Sequence, residues 1–254
     1  MSTKIAVVGG GSWGTALTKI LVTNGHKVHW YMHSEASLRH LTYYGRNLNY
    51  LSQVQFDLKK IHPTTSISEA IMNCDIIILA APSIYIVDIL KPVETELSQK
   101  TIVSAIKGIV PQSGLLVGEH LREKLSIPQE HITVISGPCH AEEVVLKKHS
   151  YLTIAADKKK MAKKIAELLA CSFIKTNTTN DILGTEYAAV LKNIYAIASG
   201  VAESLDYGDN FQAVLTSNAI REMKQIIDRI HHMKRNINRS AYLGDLLVTA
   251  YSSF

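Results

Sequence analysis

The reading of this chain turns on Lys4-Ile5-Ala6-Val7-Val8-Gly9-Gly10-Gly11-Ser12-Trp13-Gly14. The apolar run Ile5 to Val8 ends in glycine, as a parallel strand buried on both faces does. Trp13 to Asn24 then sets Ala16, Leu17, Ile20 and Leu21 on one helical face, and Asn24-Gly25 supplies the C-terminal stop. Lys27 to Met32 (KVHWYM) reads as a second strand. Strand, glycine turn, helix, strand is the context that turns a weak G-x-G-x-x-G match into a dinucleotide loop. Gly9 permits the tight turn. Gly11 lets a pyrophosphate approach the backbone, and Gly14 lets the helix pack close to the sheet. The helix beginning at Ser12 and Trp13 points free N–H groups and a partial positive charge at the phosphates. A ligand-free glycine turn is the alternative. An acidic residue is expected at the end of the second strand to hold the ribose hydroxyls of NAD. The chain has Tyr31-Met32-His33-Ser34 there, with Glu35 just beyond. His33 and Ser34 can tolerate a 2′-phosphate and Arg39 could reach one, so the expected cofactor is NAD or NADP, undecided.

Outward from the loop the alternation continues. Cys74 to Ala80 is a buried strand stopped by Pro82, and Thr101 to Ile106 is one stopped by Lys107-Gly108. His131 to Ile135 is another, followed by Ser136-Gly137-Pro138; Leu152 to Ala155 and Phe173 to Thr176 are candidate outer strands. Strands alternating with helices predict a parallel sheet covered on both faces. Beyond Asn180 the pattern is helical: Gly184 to Leu205, a turn at Tyr207-Gly208-Asp209-Asn210, then Phe211 to His231. The expected fold class is α/β, with a Rossmann-like doubly wound sheet domain over 1–178 followed by an all-α domain over 179–254.

Composition narrows the function classes. Charged residues are 19% of the 254 and hydrophobic ones 46%, which excludes a disordered chain. The net charge of +5 suits an anionic small molecule. Nucleic-acid binders concentrate their charge, whereas the one dense cluster here, Lys158 to Lys160 with Lys163 and Lys164, reads as a solvated helix start. No nucleic-acid partner is expected. Cys74, Cys139 and Cys171 have neither disulfide nor metal-ligand spacing, so no metal is expected and a reducing compartment is. The start at Met1 runs directly into a strand pattern without a leader, and no apolar run is long enough to span a bilayer. A cytoplasmic location is expected.

Two charged residues stand out in the helical half. Lys192, with Asn193, sits inside the apolar stretch Tyr187 to Ser199. Burying a lysine is costly unless it is paired or at work, and desolvation lowers its pKa toward usefulness as a proton donor. The alternative is a snorkelling surface lysine. Asp245 is alone in Leu243-Gly244-Asp245-Leu246-Leu247 and needs a cation, for which Lys192 is the candidate; a plain helix N-cap is the alternative. Lys107 and Gly137 stand at carboxyl ends of strands, where open parallel sheets gather their ligands.

Taken together, these motifs resemble those of the NAD(P)-dependent glycerol-3-phosphate dehydrogenases. Those carrying the resemblance are Gly9 to Thr15, Asn47 with Tyr50-Leu51, Pro82-Ser83, Lys107-Gly108 and Ser136-Gly137-Pro138. They continue with Leu191-Lys192-Asn193, Tyr207 to Asn210 and Leu243 to Leu246, in the family's order over nearly the whole chain. The resemblance implies reversible reduction of dihydroxyacetone phosphate to sn-glycerol 3-phosphate, feeding glycerophospholipid synthesis. It implies cofactor contacts at Gly9, Gly11, Ser12, Trp13, Gly14, His33, Tyr50, Pro82, Lys107 and Ala141. Substrate contacts are implied at Lys107, Gly137, Cys139, Lys192 and Asp245, with Lys192 as the acid/base supported by Asn193, Asp245 and Thr249. A homodimer is a possible assembly. Cys139 stands where a threonine or serine is usual, and Ala250 where a cysteine is common. The family continues beyond Thr249 into a Ser-Arg-Asn motif whose arginine holds the substrate phosphate, whereas this sequence ends at Phe254. A related dehydrogenase of another small oxo or hydroxy acid, or a non-catalytic nucleotide-binding truncation, are the alternative readings.

Overall fold

The computed structural model describes residues 3–251. Met1, on which the expectation of no leader bears, and the last residues to Phe254, on which the truncation reading bears, lie outside the described residues. The sheet strands are β1 (Ile5–Val8), β2 (Val28–Tyr31), β3 (Ile61–Thr64), β4 (Ile76–Leu79) and β5 (Thr101–Ser104). A two-strand hairpin, β6 (Ile109–Val110) and β7 (Leu115–Leu116), precedes β8 (Ile132–Ser136), β9 (Ser150–Ala156) and β10 (Ile174–Thr179). The eight-stranded sheet runs β3-β2-β1-β4-β5-β8-β9-β10, and its first six strands are parallel. The order reverses between β1 and β4, and at such switch points open sheets bind ligands.

Helices α1 (Ser12–Thr23), α2 (Glu35–Tyr44), α3 (Ile67–Ile71), α4 (Ile86–Leu90), α5 (Val117–Glu123), α6 (Ala141–Val145) and α7 (Lys159–Leu169) accompany the sheet. Successive strand residues feed opposite cores: Ile5 and Val7 enter one, Ala6 and Val8 the other, all fully buried. The lysines at the start of α7 are exposed, and Lys158 pairs with Glu130 at 3.2 Å. The helical part consists of α8 (Ile182–Ser204), α9 (Gly208–Ile230), a π-helical turn at Ser240–Gly244, and α10 (Asp245–Ala250).

Three expectations change. The sheet is mixed rather than parallel, because β8 and β9 pair antiparallel. Their connection holds only the five-residue α6, too short to carry the chain back along the sheet, so β9 turns and runs the other way. Strand β3 was not expected, since Ile61-His62-Pro63-Thr64 is short and carries a proline. Proline is tolerated there because β3 is an edge strand. Gly208 to Asn210 form the first turn of α9 rather than a connecting turn; the chain reverses over Leu205 to Tyr207, with Asp206 at positive φ, and Gly208 opens α9, also at positive φ.

Candidate functional site

The glycine loop is built by close approach. Gly9 has φ +131°, and a Cβ there would lie 2.6 Å from the Ala80 carbonyl oxygen. A Cβ on Gly14 would lie 2.1 Å from the Gly9 carbonyl oxygen, so helix and loop touch backbone to backbone. At Gly11 a Cβ would meet nothing within 4 Å, and the open space belongs to a cavity. Helix α1 has no side-chain cap, which leaves its first N–H groups facing that space. The indole of Trp30 donates to the Gly9 carbonyl at 2.9 Å and pins the loop.

Sequence reasoning left Asn47 without a role beyond its place in a motif. It is fully buried and donates to the Gly10 carbonyl (2.9 Å) and to Thr15 Oγ1 (2.8 Å). Its own oxygen accepts from the backbone N–H groups of Asn49 and Tyr50. It therefore ties Tyr50 to the glycine loop. The available signal was an asparagine in a polar, tyrosine-rich segment, which also fits an ordinary turn.

Two cavities meet over the loop and share Gly11, Tyr50, Ala81 and Pro82. One, about 680 Å³, runs from Gly9–Gly11 to His33, Ser34 and Ser37 beyond β2. The other, about 620 Å³, runs from Ser12 and Trp13 past Lys107, Cys139 and Ala141 to Lys192, Asn193, Asp245 and Thr249. Their length and the uncapped helix fit an elongated molecule with an anionic centre. Trp13 lines the second cavity, and its buried Nε1 has no hydrogen-bond partner among the described residues. Beyond β2 no carboxylate enters the first cavity from Glu35, which accepts from Thr65 Oγ1 at 2.5 Å. Ser34 caps α2 by accepting from the Ser37 N–H. Arg39 is exposed and is not among the residues lining the cavity.

In the second cavity the charged residues converge. Lys192 is 5% exposed and Asp245 1%, which rules out the snorkelling alternative. Lys192 Nζ donates to Asp245 Oδ1 at 2.6 Å and to Thr249 Oγ1 at 2.9 Å. Thr249, one turn along α10, donates to the Asp245 carbonyl oxygen at 2.7 Å. Lys107 Nζ lies 3.3 Å from both Asp245 oxygens and 3.4 Å from the Gly137 carbonyl. Ser136 adds a hydroxyl donor to Asp245 Oδ2 at 3.2 Å. Asp245 thus binds two ammonium groups and a hydroxyl and does not cap its helix. Burial, with the Lys107 charge behind it, pushes Lys192 down to about 8, while Asp245 acts in the opposite direction.

The remaining predicted positions fall around this core. Gly137 has φ +120°, with a Cβ position 2.6 Å from the Tyr151 carbonyl, so glycine is required there. Cys139 lines the cavity, and burial pushes its thiol up to about 12, far from thiolate chemistry. Ala141 opens α6 at the wall, and Asn193 lines the cavity from an exposed position. Gly14 stays behind the loop as a packing residue. Among the described residues no group of His, Cys, Asp and Glu could hold a metal ion. Among the described residues the site carries two cations against one carboxylate, at the end of a long cavity: a place for an anionic substrate beside a dinucleotide.

Comparison with known proteins agrees with this geometry. Residues 4–162 match the NAD-dependent glycerol-3-phosphate dehydrogenase N-terminus and residues 181–254 the C-terminus of the same family. A glycerol-3-phosphate dehydrogenase (NAD(P)+) of Staphylococcus haemolyticus is 34% identical over 99% of this chain and 76% of its own length. That of Clostridium botulinum is 33% identical over 98% of this chain and 75% of its own. Among solved structures, glycerol-3-phosphate dehydrogenase from Coxiella burnetii superposes with a TM-score of 0.91 at 26% identity, covering 99% of this chain and 77% of that one. D-mandelate dehydrogenase, at 17% identity and a TM-score of 0.67, shares the fold. The chain belongs to the NAD-dependent glycerol-3-phosphate dehydrogenase family.

Proposed function

We propose that this chain interconverts dihydroxyacetone phosphate and sn-glycerol 3-phosphate, with NAD or NADP as cofactor and Lys192 as the acid/base. The carrying observation is the Lys192–Asp245–Lys107 cluster in the cavity that continues the glycine loop. Gly9, Gly11 and Ser12, with the amide end of α1, would hold the pyrophosphate, and His33, Tyr50 and Pro82 the adenosine side. Trp13, Lys107 and Ala141 would line the nicotinamide side. When bound, the nicotinamide supplies or accepts the hydride. Lys192 holds the proton that the ketone oxygen takes up as it becomes an alkoxide, and receives it back in the reverse direction. A lysine with pKa about 8 can do both near neutral pH. Asp245 fixes the Lys192 ammonium in place and Thr249 completes its shell. Lys107, with Gly137 and Cys139 beside it, would orient the substrate, and Asn193 would support Lys192. The excess of one positive charge in the cluster favours a phosphate ester.

The test follows NADH absorbance with dihydroxyacetone phosphate in the chain and in Lys192→Ala. Loss of a general acid lowers turnover by about 10²- to 10⁴-fold, with cofactor affinity unchanged. Turnover within a few-fold of the parent would remove Lys192 from this role. Further proposals concern organisation: a domain boundary at 178/179, at the last residue of β10 and just before α8 begins at Ile182, and a location in the cytoplasm, feeding glycerophospholipid synthesis. Among the described residues no helix is long and apolar enough to cross a membrane. A homodimer is proposed because α8 exposes Ile194, Ile197 and Val201 on the face opposite Lys192; light scattering giving one chain mass would exclude it.

A further inference from the structure

The second concentration of buried charge lies outside the cavity. Asp181 is 3% exposed and caps α8 by accepting from the Gly184 N–H at 3.0 Å. The Arg235 guanidinium, 1% exposed, grips the same carboxylate through Nε and Nη2 and also binds Asp228 Oδ1 at 2.5 Å. The Tyr242 hydroxyl donates to Asp181 Oδ2 at 2.5 Å. Burial pushes Asp181 up, but Arg235, Tyr242 and the Gly184 amide outweigh it and hold the carboxyl below its usual range. This set joins three segments: the start of α8, the 231–239 loop and the π-helical turn.

Both catalytic partners depend on those segments. Lys192 follows Asp181 by eleven residues, about three turns of helix, and so returns to the same face of α8. Asp245 follows Tyr242 by three residues, across the π-helical turn at Ser240–Gly244. A π turn is a rare departure from the α-helix, frequent at functional sites. Here it needs an anchor, since its widened winding sets where α10 begins. Tyr242 supplies one side of that anchor, and the Ala250 carbonyl, accepting from Ser199 at 3.2 Å, supplies the other. Between them lies the 2.6 Å Lys192–Asp245 contact.

We propose that Asp181, Arg235 and Tyr242 are positioning residues that set the register of α8 against the π-helical turn and thereby bring Asp245 onto Lys192. This rests on the acid/base reading of Lys192. Gly184 belongs to the device, because a Cβ there would lie 2.2 Å from Asp181 Oδ2 and 2.7 Å from Arg235 Nε. Both are side-chain rather than backbone atoms, so Gly184→Ala perturbs the Asp181–Arg235 pair directly.

The experiment measures the protonation of Lys192 without needing turnover. Acetic anhydride labels unprotonated lysine, and mass spectrometry of the Lys192 peptide across a pH series yields its midpoint. The groups facing Lys192 are Asp245, Thr249 and Lys107. If Tyr242→Phe or Gly184→Ala lets Asp245 drift, Lys192 loses its counter-charge while Lys107 stays, and its midpoint falls. The expected result is a midpoint lower by about half a unit or more in both variants. Turnover should drop about tenfold, with the KM for cofactor held. An unchanged Lys192 midpoint in both variants, whatever their melting temperatures, overturns the proposal. If even the parent chain failed to reduce dihydroxyacetone phosphate, the functional reading would fall while the midpoints still judged the lock.

Discussion

Replacing Asp245 by asparagine keeps the shape of the site and removes the only carboxylate among the described residues that line it. The partner, Lys192, lies 2.6 Å away, and both side chains are almost wholly buried. Removing one member of a buried pair costs about 3–5 kcal/mol when the other charge must stay. Lys192 has a cheaper route. Its pKa is already about 8, so at pH 7 losing the proton forfeits only about 1.4 kcal/mol, the value of one pKa unit. In Asp245→Asn the lysine therefore turns neutral, with the amide still able to hydrogen-bond it. Lys107 is 26% exposed and can turn to water, so its lost pairing adds about 0–1 kcal/mol. The expected loss at pH 7 is about 1.5–2 kcal/mol. The native parent binds the Lys192 proton below about 8 and the native variant does not, so the gap widens as pH falls. It grows by about 1.4 kcal/mol over the next unit of acid and nearly closes by about pH 9. Against the unfolded chain, where the lysine titrates near 10.5, the depressed lysine itself costs stability at neutral pH. Both proteins recover that cost as pH rises, the parent between about 8 and 10.5. Urea unfolding of parent and variant at about pH 6, 7 and 9 measures this. A gap that stayed constant across the three, or that exceeded about 5 kcal/mol at pH 7, would refute the reasoning. Turnover at pH 7 should fall by about 10²- to 10⁴-fold, since the acid has no proton to give.

Three further outcomes follow from local geometry. Gly11→Ala places its methyl in open space, so its melting temperature should match the parent while NADH binding by calorimetry weakens about tenfold or more, roughly 1.4 kcal/mol; Gly14→Ala, whose methyl meets the Gly9 carbonyl at 2.1 Å, should instead lose about 1–3 kcal/mol of stability. Glu186 is buried and its carboxyl is pushed up to about 7 by burial, with Gly118 N–H at 3.0 Å as its donor. Between about 4.5 and 7 the unfolded chain ionises this carboxyl while the native protein keeps it protonated, so stability is lost over that window, and Glu186→Gln should gain on the parent by up to ~3 kcal/mol between pH 5 and pH 8; melts showing the same difference at both pH values would contradict that.

The glycine loop, the strands around it and the long helices were legible in the sequence because each is decided locally. Ile5 to Val8 can satisfy its side chains only between two layers, and Gly9, Gly11 and Gly14 mark places where a backbone must approach something. Lys192 and Asp245 were legible for a related reason: a lone charge in an apolar helix needs a partner, whatever the fold. Which partner, and at what distance, is a tertiary fact, because fifty-three residues separate the two and only the packing of α10 on α8 joins them. The antiparallel turn into β9 was equally hidden, since strand direction depends on how far a short connection can travel. So was the edge strand at Pro63, tolerated only because no further neighbour pairs beyond it. Asp181, Arg235 and Tyr242 left no trace in the pattern at all. Each reads alone as a cap, a surface cation or a core aromatic, and only the folded chain buries the three against one another, where desolvation makes their mutual hydrogen bonds decisive.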